Sequence, residues 1–250
     1  MKKKMKIIRN SAILLIFVFL LIPSTNNAMA ETEEPQGNIF VYGTYAQNQI
    51  ISLDPVQSVQ WGELEIINQV TEGLFTRDTF NESAPIINQL ASDYNWVDNF
   101  TLRVSLKEKV EFHDGTSFDA DDVIWNFDRI KNINDFHNGG NRDSFYISAE
   151  MVEDLPGVDL SWLTIEEGTK VAIINDTVKI DADTIEFQLN VPFGDFLDIL
   201  SSHYCNMLSP DAHSEDLNAT LGIDKLVGTG PFVFESLSVA EGETRFTGNE

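Results

Sequence analysis

Apolar and polar positions alternate most cleanly at Thr101–Leu106. Leu102, Val104 and Leu106 fall on one side, and Thr101, Arg103 and Ser105 on the other. A period of two over such a run predicts a half-buried β-strand. Ile185, Phe187, Leu189 and Val191 repeat the pattern. Val178 and Ile180 precede them across Asp181-Ala182-Asp183, so this region predicts a hairpin. Asn38–Tyr42 reads as a short strand, and Val110–Phe112, after a Lys-Glu-Lys turn, is expected to continue the sheet.

Helical spacing occupies other stretches. Trp61, Leu64, Ile67, Val70 and Leu74 recur at intervals of three and four, which predicts an amphipathic helix within residues 58–74, with Gly73 as its stop. Phe193, Phe196, Leu197 and Leu200 form the stripe of a shorter helix. Strands and helices interleave irregularly, so the class is mixed α/β. Residues 132–170 have no regular period and are rich in Asn, Gly, Asp and Ser. They read as a long surface excursion, and long irregular loops in compact domains are often binding loops.

The segment from Val110 to Arg129 reads as a strand, a turn and a capped helix in succession. Gly115 can take the positive φ that the His113-Asp114-Gly115-Thr116 turn needs. Asp119 suits the N-cap, and Asp121 and Asp122 suit the first turn, where the helix dipole favours negative charge. Val123, Phe127 and Ile130 form the buried stripe, with Ile124 beside it. Arg129 and Lys131 fall at the cation-favouring end. Since turn and cap account for every charge, His113, Asp114, Asp119, Asp121 and Asp122 are not read as a metal site; the ligand register of a calcium loop is absent.

Composition divides the chain. Residues 1–30 carry Lys2, Lys3, Lys4, Lys6 and Arg9, then an apolar run from Ala12 to Ile22, and end in Ala28-Met29-Ala30. This is the layout of a cleaved secretory signal, and the apolar run is too short for a membrane span. Residues 31–37 read as a flexible lead-in. Removing residues 1–30 takes away five of the 16 basic residues and no acid, moving the net charge from −24 to −29. Such a charge argues against nucleic acid or anionic membranes as partners. Cys205 is the sole cysteine, so no internal disulfide is possible, and it reads as a packed thiol. No Cys stands at the cleavage point, so no lipid anchor is expected there. The sequons at Asn81, Asn99, Asn175 and Asn218 give weak support to an exported chain.

Motifs for chemistry are missing: no H-E-x-x-H, G-x-S-x-G, Walker loop or dinucleotide glycine cluster occurs, and Gly228-Thr229-Gly230-Pro231 is too short for a phosphate cradle. No cofactor is expected. Five ordered segments instead carry a resemblance. They are Leu53-Asp54-Pro55, Asn68–Phe75, Pro85–Trp96, Thr101–Arg129 with its F-H-D-G turn and A-D-D-V helix, and Leu226–Phe232 with its G-T-G-P landmark. Together the chain resembles family 5 of the extracellular solute-binding proteins, which deliver peptides, nickel and related ligands to ABC importers.

The resemblance implies a type II periplasmic-binding-protein fold of the large peptide-binding subclass, with a mixed sheet and flanking helices. Its ligand would lie between two lobes that close by a hinge. It further implies a monomeric, exported protein that is not an enzyme, with an oligopeptide or similar small solute and the permease and ATPases of an ABC importer as partners. Residues 38–250 would form lobe I. Family members run well beyond this length, so lobe II, with most anchors for peptide termini, is expected to be missing and the chain to be a fragment. By the same resemblance the pocket wall would include Tyr45 and Gln47 after the first strand, and Phe145 and Tyr146 in the excursion. A nickel or metal-chelate binder of the same fold, a surface sensor or adhesion domain, and a distant exported hydrolase are the alternatives.

Overall fold

The predicted strand at Thr101–Leu106 lies at the centre of the main sheet in a computed structural model that describes residues 50–133, 145–161, 164–214 and 221–249. In chain order the elements begin with α1 (Trp61–Val70), β1 (Phe75–Arg77), β2 (Ile86–Asn88), β3 (Ala91–Asp98), β4 (Thr101–Leu106) and α2 (Ala120–Asn132). They continue with β5 (Tyr146–Ser148), β6 (Lys170–Ala172), β7 (Ile174–Asp181), β8 (Thr184–Leu189), α3 (Phe196–Leu200), α4 (Pro210–His213), β9 (Phe232–Ser238) and β10 (Glu243–Gly248). The signal segment, the lead-in, the strand at Asn38–Tyr42, Tyr45 and Gln47 lie outside the described residues.

The main sheet has the order β3-β4-β8-β7. β1–β2, β5–β6 and β9–β10 form separate two-stranded pairs. The α/β architecture stands, but the sheet expected to be mixed is, among the described residues, antiparallel throughout. Leu102 pairs with Phe187 and Val104 with Ile185, so the two alternating stripes share one buried face. The Val123, Phe127 and Ile130 stripe of α2 covers that face, with the Phe127 and Phe187 rings edge to face at 4.7 Å. A second apolar cluster joins Leu53, Ile66, Ile67, Val70, Leu208, Leu221 and Leu226, with Phe234 and Phe246 of the β9–β10 hairpin packed on it.

The reading of Val110–Arg129 holds at the helix and fails at the strand. The Asp119 carboxylate accepts the Asp121 N–H at 2.7 Å, and Asp122 accepts the Asp119 N–H at 2.7 Å, which closes a capping box. Gly115 has φ of 83°. Val110–Phe112, however, is not a strand: Glu111 makes a single isolated bridge to Ser117, because the chain turns at Lys109 and again at Gly115.

The first helix also differs from its periodic pattern. It buries Gly62, Glu63, Ile66, Ile67 and Val70, while Trp61 is 79% exposed. Glu63 turns inward because its carboxylate accepts four main-chain N–H groups, those of Ile51, Ser52, Val59 and Gln60. The helix ends at Thr71 in extended conformation, not through a left-handed Gly73. Gly73 is needed for close approach: a Cβ there would lie 3.0 Å from the Phe75 carbonyl oxygen and 3.2 Å from Asn206 Oδ1.

Candidate functional site

The sequence landmarks meet at the end of α1. Asp54 forms a buried ion pair with Arg129, and its carboxylate also accepts the N–H groups of Val56 and Leu221. Gly230 donates its N–H to the Val70 carbonyl at 2.9 Å, and its own carbonyl accepts from His113 Nε2 at 2.9 Å, so that nitrogen carries the proton. The Thr229 hydroxyl donates to Glu72 at 2.9 Å, and Gln89 Nε2 donates to the same carboxylate at 3.2 Å. Asp114 accepts the Ser209 hydroxyl at 2.5 Å. Burial alone would push the Asp114 carboxyl upward, but its bonds to Ser209 and Thr116 outweigh that and hold it below the usual range. Through His113, Asp114 and Arg129 the segment from Val110 to Arg129 is thus a structural clasp.

A cleft of about 570 Å3 opens at the end of α1. Asn68 and Thr71 at the end of α1 form one side, with Phe75, Thr76 and Arg77 of β1 and Thr79 beyond it. Ser201, Ser202, His203, Tyr204 and Asn206, which follow α3, face them, and Gln89 completes the lining. The volume lies within the roughly 300–1,000 Å3 of small-ligand sites. The Gly73–Asn206 bridge and the Met207 N–H to Glu72 carbonyl bond of 2.8 Å hold the two walls in register. Asn206 Nδ2 reaches Thr71 Oγ1 at 3.0 Å.

The cleft surface mixes polar and apolar groups about evenly, and Arg77 is the one Lys, Arg, Asp or Glu in its lining. Arg77 pairs with Asp198 at its rim, and both side chains are about half exposed, so the pair itself adds little stability. Burial holds the His203 imidazole below its usual pKa, against the bond from Nε2 to the Ser58 carbonyl, which favours the charged form. The Ser201 and Ser202 hydroxyls both donate to the Asp198 carbonyl, at 2.9 and 3.0 Å. The arrangement offers amide, hydroxyl and aromatic surface for binding a polar solute.

Of the residues expected to wall a pocket, Tyr45 and Gln47 lie outside the described residues. Phe145 is buried, its ring edge-on to Tyr204 at 5.5 Å, so it stands behind the cleft wall. Tyr146 is half-buried in β5 opposite Ala172. Both line a gap of about 20 Å3, room for about one water molecule. Among the described residues no group of three His, Cys, Asp or Glu side chains is placed to hold a metal, and no helix is long and apolar enough to cross a membrane. Sequence reasoning missed Asn68, Thr76, Arg77, His203, Tyr204 and Asn206, whose meeting depends on contacts such as Asn68–Asn206, 138 residues apart.

Comparison with known proteins bears on this geometry. The profile described as bacterial extracellular solute-binding proteins, family 5, middle portion, matches residues 85–250. The chain is 29% identical over 184 residues to the glutathione-binding protein GsiB of Pectobacterium atrosepticum, covering 73% of this chain and 29% of that protein. It is 23% identical over 234 residues to the periplasmic murein peptide-binding protein MppA of Escherichia coli K12, covering 89% of this chain and 39% of the relative. The chain therefore spans well under half the length of these curated relatives. Among solved structures, it resembles the oligopeptide-binding protein AppA of Bacillus subtilis in complex with a nonapeptide, with a TM-score of 0.58 at 16% identity, covering 80% of this chain and 34% of that one. A dipeptide-binding protein of Pseudoalteromonas sp. SM9913 in complex with Met-Leu gives a TM-score of 0.53 at 20% identity, covering 76% and 36%. Both likenesses concern the fold.

Proposed function

The chain belongs to family 5 of the bacterial extracellular solute-binding proteins, and from that premise we propose that it captures a short peptide, or a related small polar solute, and delivers it to the permease of an ABC importer. The observation that carries the reading is the cleft of about 570 Å3, which pairs amide and hydroxyl groups with the Tyr204 ring. A main chain with a donor and an acceptor on every residue suits such a lining, and an aromatic face accepts varied side chains.

On this reading residues 1–30 direct export, and residues 38–250 form one lobe of a two-lobed clamp. Tyr45 and Gln47 would complete the wall, with Tyr146 beside it and Phe145 bracing Tyr204. A partner lobe that closed over the ligand would exclude water and strengthen each polar contact. Binding to this chain by itself is therefore expected to be weak, in the millimolar range.

The test is titration of residues 31–250 with a library of di- and tripeptides and, separately, with nickel chelates, followed by NMR. Millimolar peptide binding that shifts the resonances of Tyr204 and Asn206 supports the reading. Binding of chelates alone, or micromolar peptide affinity of this chain by itself, would overturn the reading or its two-lobe premise respectively.

A further inference from the structure

The fold treats the sequons unequally. Asn175 and Thr177 belong to β7, where Thr177 lies opposite Phe187 and is 5% exposed, with its hydroxyl buried and unbonded. Asn99 stands in the turn between β3 and β4, but its Thr101 pairs with both Asp98 and Gln188 inside the main sheet. The Phe100 carbonyl between them accepts the Leu189 N–H at 2.7 Å. Each of these two sequons is thus built into the sheet through its threonine. Asn218 lies outside the described residues.

Asn81-Glu82-Ser83 is built the other way. All three residues are exposed and lie in the connection between β1 and β2, outside either strand. Asn81 donates its N–H to the Asp78 carbonyl at 3.2 Å, and its own carbonyl accepts the Ala84 N–H at 2.8 Å, so two successive turns carry the tip. Phe80 beside it is 103% exposed, so the tip stands clear of the rest of the fold. Within the sequon the Ser83 hydroxyl donates to Asn81 Oδ1 at 3.0 Å, and the Ser83 N–H donates to the same oxygen at 3.1 Å. Asn81 Nδ2 makes no hydrogen bond among the described residues. The hydroxyl at the third position therefore already stands at the amide of the first, and the amide nitrogen is uncommitted.

We propose that Asn81 is a modification site, the acceptor of an N-linked oligosaccharide supplied by a lipid-linked oligosaccharyl pyrophosphate. Asn81 Nδ2 forms a bond to the anomeric carbon as the bond from that carbon to the pyrophosphate oxygen breaks. Nδ2 gives up one proton, the lipid pyrophosphate leaves, and nothing is oxidised or reduced. Hydrogen bonds donated to Oδ1 favour this loss of a proton, because they stabilise the negative charge that it places on the oxygen. A transferase must grip the hydroxyl as well as the amide, and here it can do so without opening a strand. Thr79, two residues earlier, lines the cleft, so the glycan would stand at the cleft rim. The proposal rests on the export reading of residues 1–30, since N-glycans are carried by surface loops of secreted chains.

The full chain, produced in a host without N-glycosylation and purified in the folded state, is incubated with a lipid-linked oligosaccharide and an oligosaccharyltransferase that accepts Asn-x-Ser/Thr. Peptide mapping by mass spectrometry should place a glycan on Asn81. Asn81→Gln and Ser83→Ala should each abolish that glycopeptide, and Ser83→Thr should keep it, with a thermal melt confirming that the variants fold. Asn175 should be modified at least about tenfold more slowly, because Thr177 must first leave the sheet by local opening. A free peptide of residues 173–179 should lose that protection. A folded chain left unmodified at Asn81, while a free peptide of residues 78–85 reacts, would overturn the proposal, as would equal rates at Asn81 and Asn175 in the folded chain. Export is read separately, from the fraction of chain recovered outside the host cytoplasm without residues 1–30. Retention in the cytoplasm would overturn the proposal through its export premise, even where the purified chain accepts the glycan.

Discussion

Arg129 of α2 lies against Asp54, 75 residues earlier, with both side chains almost wholly removed from solvent. The guanidinium spans both carboxylate oxygens, with Nη1 to Oδ1 at 3.1 Å. A pair of this kind is costly to break from one side, because the remaining charge is left buried and unpaired. Arg129→Met is expected to destabilise the chain by about 3–5 kcal/mol in urea unfolding. Asp54→Asn combined with Arg129→Met should recover part of that loss. A strictly additive double-mutant cycle would show that the two residues are not coupled.

Gly228 and Gly230 pack on the backbone at the end of α1. A Cβ on Gly228 would lie 2.4 Å from the Val70 carbonyl oxygen, and one on Gly230 2.7 Å from the Val70 carbonyl carbon. Alanine at either position should cost about 1–3 kcal/mol or more as overpacking. Alanine at Gly194, which has open space around it, should change stability far less. Chemical denaturation of the three variants tests the contrast.

Asp122 gives the helix cap a pH dependence. Burial pushes its carboxyl up to about 6, against the bond from the Asp119 N–H, and the neighbouring carboxylates of Asp119, Asp121 and Asp211 push the same way. Because the folded pKa lies above the unfolded value of 3.8, the folded state holds the extra proton between the two. Stability from this group is therefore greatest below about pH 4 and is lost as pH rises through about 6. Asp122→Asn should be more stable than wild type above pH 6, by about 1 kcal/mol once solvent screening of this half-buried group is allowed for, with the gain vanishing toward pH 4. A gain that did not depend on pH would count against this account.

Cys205 is buried, its thiol donating to the Ile199 carbonyl at 3.3 Å, and burial raises its pKa well above the usual thiol range. It should resist a thiol-specific reagent in the native state and react at the rate of unfolding or local opening. Rapid labelling without denaturant would contradict the packing described.

Phe145 and Tyr204 separate support from contact. Phe145→Ala should lower stability by about 3–5 kcal/mol, as for other buried aromatic truncations. Tyr204→Phe keeps the ring and loses only the hydroxyl. It should leave the melting temperature nearly unchanged while weakening peptide binding, measured on the same samples.

Period-two alternation was a reliable guide where one face of a strand meets the core, as in β4 and β8, whose apolar residues pair in register. It was weak for β3, where Tyr94 and Trp96 alternate and touch the buried Phe75 and Phe196 rings while every residue from Ser92 to Asp98 stays exposed. The Asp119 cap was readable because a capping box is local. The inward turn of Glu63 was not, since its partners at Ile51 and Ser52 lie 12 and 11 residues away in a loop. Arg129 looked like a cation at a helix end, and only the packed structure shows that it answers Asp54. The cleft was the least legible part, because its walls come from segments whose meeting depends on bonds spanning more than a hundred residues.

Ser52 donates to the Leu221 carbonyl across 169 residues, and Leu221 returns its N–H to Asp54. Residues 52–58 therefore gain the last of these buried partners only after residue 221 has been synthesised, although Glu63 and Arg129 supply others earlier. Contacts of such sequence separation form slowly, because the intervening loop must close first. The segment is thus held in two stages, first by Glu63 and Arg129 and last by Leu221, and the final staple joins residues near the two ends of the described fold.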